Sequence, residues 1–68
     1  METYLTFQPG RRGEWQGHEA KSNVRNVIRT ARRSKRDLHI FVVGEEDGWP
    51  AYTKIPAADW DTYFAEEV

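Results

Sequence analysis

Four apolar residues recur at helical spacing near the middle of this 68-residue chain, and they constrain its fold more than any other feature. Their positions, i, i+3, i+4 and i+7, place them on one face of a helix. They are Val24, Val27, Ile28 and Ala31. The helix is predicted over residues 23–36, with Ser22 as its N-cap. Because only one face is apolar, the rest of the chain must supply a second layer for the helix to cover.

The segment before this helix has the pattern of a β-hairpin. Residues 3–7 alternate and contain aromatic and β-branched side chains, which predicts a strand. Residues 9–13 contain a Pro-Gly pair and a closing glycine, which predict a turn. Residues 14–16 can return as a second strand, although Gly17 weakens that interpretation.

The segment after the helix predicts a second hairpin. Residues 38–43 are rich in β-formers and too apolar for a strand with one exposed face, so they are predicted to form a central strand. Residues 44–48 are acidic and bounded by glycines, which predicts a loop. Residues 49–55 then form the partner strand. Pro50 lacks an amide hydrogen, which favours an edge position for that strand.

The end of the chain predicts a second helix over residues 57–67, beginning after Pro56. Trp60, Tyr63 and Phe64 stand at i, i+3 and i+4 and give this helix one aromatic face. The predicted fold is therefore α+β. It has a small antiparallel sheet of three to four strands, a basic helix and a C-terminal aromatic-faced helix, in the order β(β)αββα. Residues 1–68 form a single domain, because the chain has no room for a second core.

Composition excludes several classes of protein. The chain has no cysteine, so it has neither disulfides nor thiolate metal sites. It has no run of about 20 apolar residues, and its first ten residues lack the pattern of a signal peptide. A cytoplasmic protein without a membrane partner is expected. A core this small gains from additional burial, which makes a homodimer one of the expected states.

Aromatic side chains are abundant and can serve the core or a binding surface. Trp15, Trp49 and Tyr52 lie on or beside predicted strands, where rings can stack on the bases of single-stranded nucleic acid. Small domains more often use such rings for their core, and burial is the expectation for these three. The side chains expected where the helix meets the sheet are Val27, Ile28 and Phe41.

The two halves of the chain carry opposite charge. Residues 11–36 contain nine lysines and arginines against Glu14 and Glu19, a balance of plus seven. Residues 37–68 contain eight acidic residues against Lys54, a balance of minus seven. Such asymmetry indicates charged partners or self-association.

The positive charge forms a stripe along one flank of the predicted helix. At about 100° per residue, four arginines align there. They are Arg25, Arg29, Arg32 and Arg36. Arg33 lies further round the helix, and the turn pair Arg11 and Arg12 can extend the patch. The planar guanidinium binds phosphate or carboxylate bidentately, so all seven are candidate residues for binding nucleic acid or another partner. The alternative is a solvated face, or one neutralised by the acidic half of the chain.

Catalytic and metal-binding patterns are weak. His18 and His39 are the two imidazoles, and neither belongs to a metal-ligand spacing or a nucleophile motif. No catalytic residue, metal site or cofactor is predicted. A small metal-independent ribonuclease, with His18 and arginines in acid–base catalysis, is an alternative.

The layout resembles small phage-encoded anti-CRISPR proteins of type I systems. The likeness rests on residues 19–22, which lead into the basic helix, on residues 48–52 (Gly-Trp-Pro-Ala-Tyr), and on the later Trp60. It covers about half of the chain by pattern, and the C-terminal helix departs from it. The resemblance implies a short α+β protein whose basic patch occupies the nucleic-acid path of a surveillance complex. It assigns no binding residue.

These patterns together predict a non-enzymatic binding protein. Its arginine-striped helix is expected to engage nucleic acid or a nucleic-acid-handling complex, as a phage-type inhibitor or regulator does. Acidic residues in the C-terminal half disfavour tight non-specific DNA binding by the whole surface. A purely protein-directed adaptor therefore stays an alternative beside the ribonuclease.

Overall fold

Four strands form one antiparallel sheet, and two helices lie against it. The structure, a computed structural model, describes residues 3–65 apart from the side chain of Arg11. The strands are β1 (Thr3–Gln8), β2 (Glu14–His18), β3 (His39–Glu46) and β4 (Trp49–Ile55), and the helices are α1 (Lys21–Ser34) and α2 (Trp60–Tyr63). The sheet order is β2-β1-β3-β4. This confirms the predicted α+β class and element order, and it places β3 at the centre and β4 at an edge.

Strand pairing sorts the side chains onto two faces, because paired residues of antiparallel strands share a face and successive residues alternate. Tyr4 pairs with Val42, and Ile40 pairs with Ile55, on the face that the helices cover. Leu5 pairs with Phe41 on the opposite face. Among the described residues no element covers this second face, which we call the open face. Its residues are Thr3, Leu5, Phe7, Trp15, Gly17, His39, Phe41, Val43, Glu45, Pro50, Tyr52 and Lys54.

The core lies between the sheet and the helices. Its buried residues are Tyr4, Val24, Ile28, Ala31, Leu38, Ile40, Ile55, Trp60 and Phe64. The Trp60 indole donates a hydrogen bond to the Ile55 carbonyl at 3.0 Å and joins the C-terminal segment to β4. Burial of Ile28 is confirmed, and Val27 packs half-buried against the core. The prediction for Phe41 is wrong. Its neighbour Ile40 takes the core position, so strand alternation turns Phe41 to the open face.

Helix α1 begins earlier than predicted and ends in a left-handed cap. Its N-cap is Ala20, without a side-chain hydrogen bond, so Ser22 lies inside the first turn and is not the cap. At the other end Lys35 has φ 54°, and the Arg36 amide donates to the Ala31 carbonyl at 2.9 Å. This hydrogen-bond pattern ends the helix at Ser34, before the predicted residue 36.

The predicted loop over residues 44–48 is mostly strand. Strand β3 continues to Glu46, which pairs directly with Trp49 across a two-residue turn. Asp47 and Gly48 both have positive φ, 51° and 82°, as a tight turn matched to the twist of the hairpin requires. Strand β1 pairs with β3 only as far as Val43, so the hairpin tip extends beyond the central sheet.

The second helix is shorter than predicted. Residues 57–59 form a 3₁₀ turn, and α2 covers only Trp60–Tyr63. The predicted aromatic face is present, because Trp60 and Phe64 are buried and Tyr63 packs against the core. Glu66 and Glu67, which the prediction placed in this helix, lie outside the described residues.

Candidate functional site

The arginine stripe borders a groove between the two helices. Arg25, Arg29 and Arg32 line one wall, and the other is lined by Trp60, Asp61, Phe64 and Ala65. The groove encloses about 290 Å³. The stripe therefore faces the C-terminal segment of the same chain along part of its length.

Arg25 has a structural contact. It is half-buried, and its Nη1 donates to the carbonyl oxygen of Phe64 at 3.1 Å. That carbonyl follows the last residue of α2, where helix carbonyls lack partners within the helix. Arg25 thus satisfies the end of α2 and holds the C-terminal segment against α1.

Arg32 forms an ion pair with Asp61. The Nη1–Oδ1 distance is 3.0 Å, with side chains 53% and 80% exposed. Exposed pairs of this kind contribute about 0–1 kcal/mol to stability. The pair nevertheless places a carboxylate beside the stripe, so the acidic half of the chain neutralises part of it.

The remaining candidate cations are exposed. Arg12, Arg29, Arg33 and Arg36 make no ion pair or side-chain hydrogen bond with any residue of the range 3–65. The Arg11 side chain lies outside the described part of the structure. The structure thus divides the seven predicted binding residues into two with intramolecular partners, four that are exposed and unpaired within residues 3–65, and one whose side chain is not described.

Chain connections bring exposed cations to one end of the sheet. The β1–β2 turn, the end of α1 and the start of β3 all lie there, since Phe7 pairs with both Trp15 and His39. We call this region the basic end. Its cations are Arg12, Arg33, Lys35, Arg36 and Lys54, and the acidic residues near it are Glu14, Asp37 and Asp59.

The acidic hairpin tip lies at the opposite end. Glu45 and Glu46 complete β3, and Asp47 begins the turn. Seven strand steps of about 3.3 Å separate His39 from Glu46, a distance of roughly 23 Å. The opposite charges of the two halves of the sequence therefore occupy, in part, opposite ends of the sheet. Asp61, paired with Arg32, departs from this separation.

The open face carries an array of aromatic rings. Ring centroids of Phe7 and Trp15 are 4.6 Å apart, those of Trp15 and Phe41 are 5.7 Å apart, and the Phe7 and His39 centroids are 6.2 Å apart. The three pairs are tilted by only 31–36°, so the rings have similar orientations across three strands.

Three aromatic side chains that were expected to be buried are exposed, so that expectation is wrong. Trp15 is 54% exposed, Tyr52 61% and Trp49 75%. Trp15 and Tyr52 lie on the open face, whereas Trp49 lies on the other side of the sheet at the acidic hairpin tip. Burial was expected because small domains need their rings for the core. Here the rings of Tyr4, Trp60 and Phe64 fill that core, and the ring centroids of Tyr4 and Phe64 are 5.4 Å apart.

A shallow groove crosses the open face. Leu5, Trp15, Phe41 and Tyr52 line it, and it encloses about 340 Å³. Leu5 and Phe41 belong to the central strands and form its floor. Trp15 and Tyr52 belong to the outer strands and form its walls. The sequence signal for this surface was the alternation of residues 3–7 and the position of Trp15 beside them.

The two histidines lie on opposite faces of the sheet. His18 is on the helix side, where its Nε2 lies 3.0 Å from the hydroxyl of the buried Thr6. Burial lowers the pKa of His18. His39 lies on the open face. The sheet therefore separates the two imidazoles. The described residues contain no group of three or more acidic, histidine or cysteine side chains arranged to hold a metal ion.

Comparison of the chain with protein-family models, with curated proteins and with solved structures found no significant match. Within residues 3–65, no helix has the length and apolar character that a membrane span requires. Three surfaces of the described chain have the character of binding sites: the groove beside the stripe, the basic end and the open face.

Proposed function

We propose that this protein is a small nucleic-acid-binding protein that contacts phosphates through its basic end. The observation that carries the proposal is the gathering of exposed cations, Arg12, Arg33 and Arg36 among them, without ion-pair partners in the described chain. Like charges held close together repel, and an external polyanion removes that repulsion. Nucleic acid is the common ligand with a matching repeat of negative charge.

The arginines that we assign to binding are not the same set as the stripe predicted from the sequence. Arg25 and Arg32 already have partners in the C-terminal segment, so binding through them would have to replace those contacts. Arg33 and Arg36 have no partner within residues 3–65, so binding through them replaces no contact of the described chain. The acidic hairpin lies at the far end of the sheet, where it does not oppose the approach of phosphates to the basic end.

The test is the salt dependence of binding for two arginine variants, Arg36→Ala just after the cap of α1 and Arg32→Ala in its last turn. Arg36→Ala should weaken binding and lower the slope of log affinity against log salt by about 0.7 for a single strand or about 0.9 for a duplex. Arg32→Ala should change the slope less, because Asp61 already holds that guanidinium. Fluorescence anisotropy with labelled oligonucleotides between low and moderate salt gives both slopes, and circular dichroism confirms that each variant is folded.

Two results would contradict the proposal. One is a folded wild-type protein that binds neither single-stranded nor duplex nucleic acid at low salt. The other is binding whose salt slope is the same for wild type and Arg36→Ala.

A protein-directed inhibitor or adaptor is the second candidate, and the position of Asp61 favours it. A carboxylate paired with the stripe at 3.0 Å opposes phosphate there, whereas a protein partner can accommodate both charges. A phage-type inhibitor that binds a protein subunit of its target complex, and not the nucleic acid, would be an example of this second function. Absence of nucleic-acid binding, with the fold intact, would support it.

A further inference from the structure

We infer that the open face binds unpaired bases of single-stranded nucleic acid by stacking them on its aromatic rings. This inference rests on the proposed function, because the basic end would hold the phosphates of the same strand. It adds a site, the groove between Trp15 and Tyr52, and a ligand class, single strands rather than duplexes.

The arrangement of side chains suits a flat ligand. The floor of the groove is apolar, from Leu5 and Phe41, and its two walls are the half-exposed rings of Trp15 and Tyr52. Phe7 and His39 continue the array toward the basic end. Every base has a π face, so such rings stack bases with little preference for sequence. Four-stranded sheets with aromatic residues on their central strands are one arrangement that RNA-binding domains use in this way.

The ligand must be single-stranded for this contact. Base faces in a duplex are covered by neighbouring base pairs, and only base edges are accessible in its grooves. An unstacked strand can place successive bases along the face from Tyr52 toward Phe7. Its backbone then passes the cations at the border of the face, Lys54 beside Phe41 and Arg12 in the β1–β2 turn.

Charge favours nucleic acid over a second copy of this chain on the open face. Lys54 stands at the β4 border of the face, in register with Phe41, and Glu45 stands on the same face at the hairpin end. A second copy that covered the whole face would have to remove Lys54 and Glu45 from water, and a buried charge is costly unless it gains a partner. A phosphate beside the rings supplies that partner to Lys54.

The experiment compares two exposed tryptophans that differ in face. Trp15→Leu removes a ring from the open face and keeps apolar bulk, whereas Trp49→Leu changes a still more exposed ring at the acidic hairpin tip. The probe is a fluorescent oligothymidylate of about 12 nucleotides, within the roughly 4–16 nucleotides that single-strand-binding domains cover. Trp15→Leu should weaken binding about 5- to 150-fold, the effect of losing one stacked base. Trp49→Leu should bind as wild type does, and Trp15→Phe should restore much of the affinity.

A second variant and a duplex probe complete the test. Tyr52→Ala, at a position 61% exposed, should also weaken single-strand binding and leave the fold intact. Equal affinity for the duplex, or unchanged single-strand affinity in both Trp15→Leu and Tyr52→Ala, would overturn the inference while leaving the proposed function standing. No binding to either probe would overturn both. Sedimentation that shows a dimer dissociated by Trp15→Leu, and unaffected by the oligonucleotide, would overturn the inference in favour of a second copy.

Discussion

A buried polar contact between Thr6 and His18 lies beside the apolar core, on the face of the sheet that the helices cover. Thr6 is almost fully buried, yet its hydroxyl has a partner because the strand β2 brings His18 Nε2 within 3.0 Å of it. An unprotonated Nε2 accepts a hydrogen bond from this hydroxyl and a protonated Nε2 donates one to it, so the contact is compatible with either state of the ring. Burial disfavours the charged ring, which lowers the pKa of His18.

The lowered pKa of His18 predicts a pH dependence of stability. Between the folded pKa and the unfolded value of 6.5, the unfolded chain binds more protons than the folded chain. The contribution of His18 is thus fully present above pH 6.5 and is lost as the pH falls through this window. Thermal melts at pH 7.5 and pH 5.5 test this, with His18→Gln as the control that cannot titrate. The melting temperature of wild type should fall more than that of the variant, and equal decreases would contradict the assignment.

Elements were predictable where the pattern in the sequence is local. Helix α1 was predicted because its apolar residues repeat with a helical period. The first hairpin was predicted from alternation and turn residues, and the second from a run of β-forming apolar residues followed by a glycine-bounded turn. Boundaries were less predictable, because Ala20 offers no capping side chain and the left-handed Lys35 is not a glycine. The Asp47-Gly48 pair is typical of a two-residue hairpin turn, and it would have predicted that strand β3 continues to Glu46.

The open face was not predictable from strand β3 alone. Residues 40–43 are all apolar, so the sequence gives no alternation to say which side chains meet the helix. The structure assigns Ile40 to the core and Phe41 to the open face only through the register with β1 and β4. Likewise, the contact of Arg25 with Phe64 joins residues 39 positions apart, and no local pattern carries it.

The assignment of neighbouring residues to opposite faces predicts unequal losses of stability. Ile40→Ala removes a fully buried side chain and should lower the free energy of unfolding by about 2–5 kcal/mol. Phe41→Ala removes a half-buried ring and should cost less, about 1–1.5 kcal/mol. Urea denaturation measures both changes. A larger loss in Phe41→Ala would contradict an open face that is exposed in the isolated protein.

At the scale of the whole molecule, charge and exposed rings occupy separate regions. The helices and core lie on one side of the sheet, the aromatic array on the other, the basic end at one extremity and the acidic hairpin at the opposite one. The sequence predicted the charge asymmetry, since it follows from composition along the chain. It could not predict which cations are free, because that depends on contacts of α1 with the C-terminal segment.

The three tryptophans offer the most direct test of the account, because each reports on a different region. Trp15 lies on the open face, Trp49 at the acidic hairpin tip and Trp60 in the core, and each gives its own indole signal in a ¹H–¹⁵N NMR spectrum. The measurement is a titration of the folded protein with single-stranded oligothymidylate at low salt. The account predicts that the Trp15 indole and the amides of the basic end shift together, while the Trp49 and Trp60 indoles stay in place. A spectrum that does not change, or shifts confined to Trp49 or to the groove between α1 and α2, would contradict it.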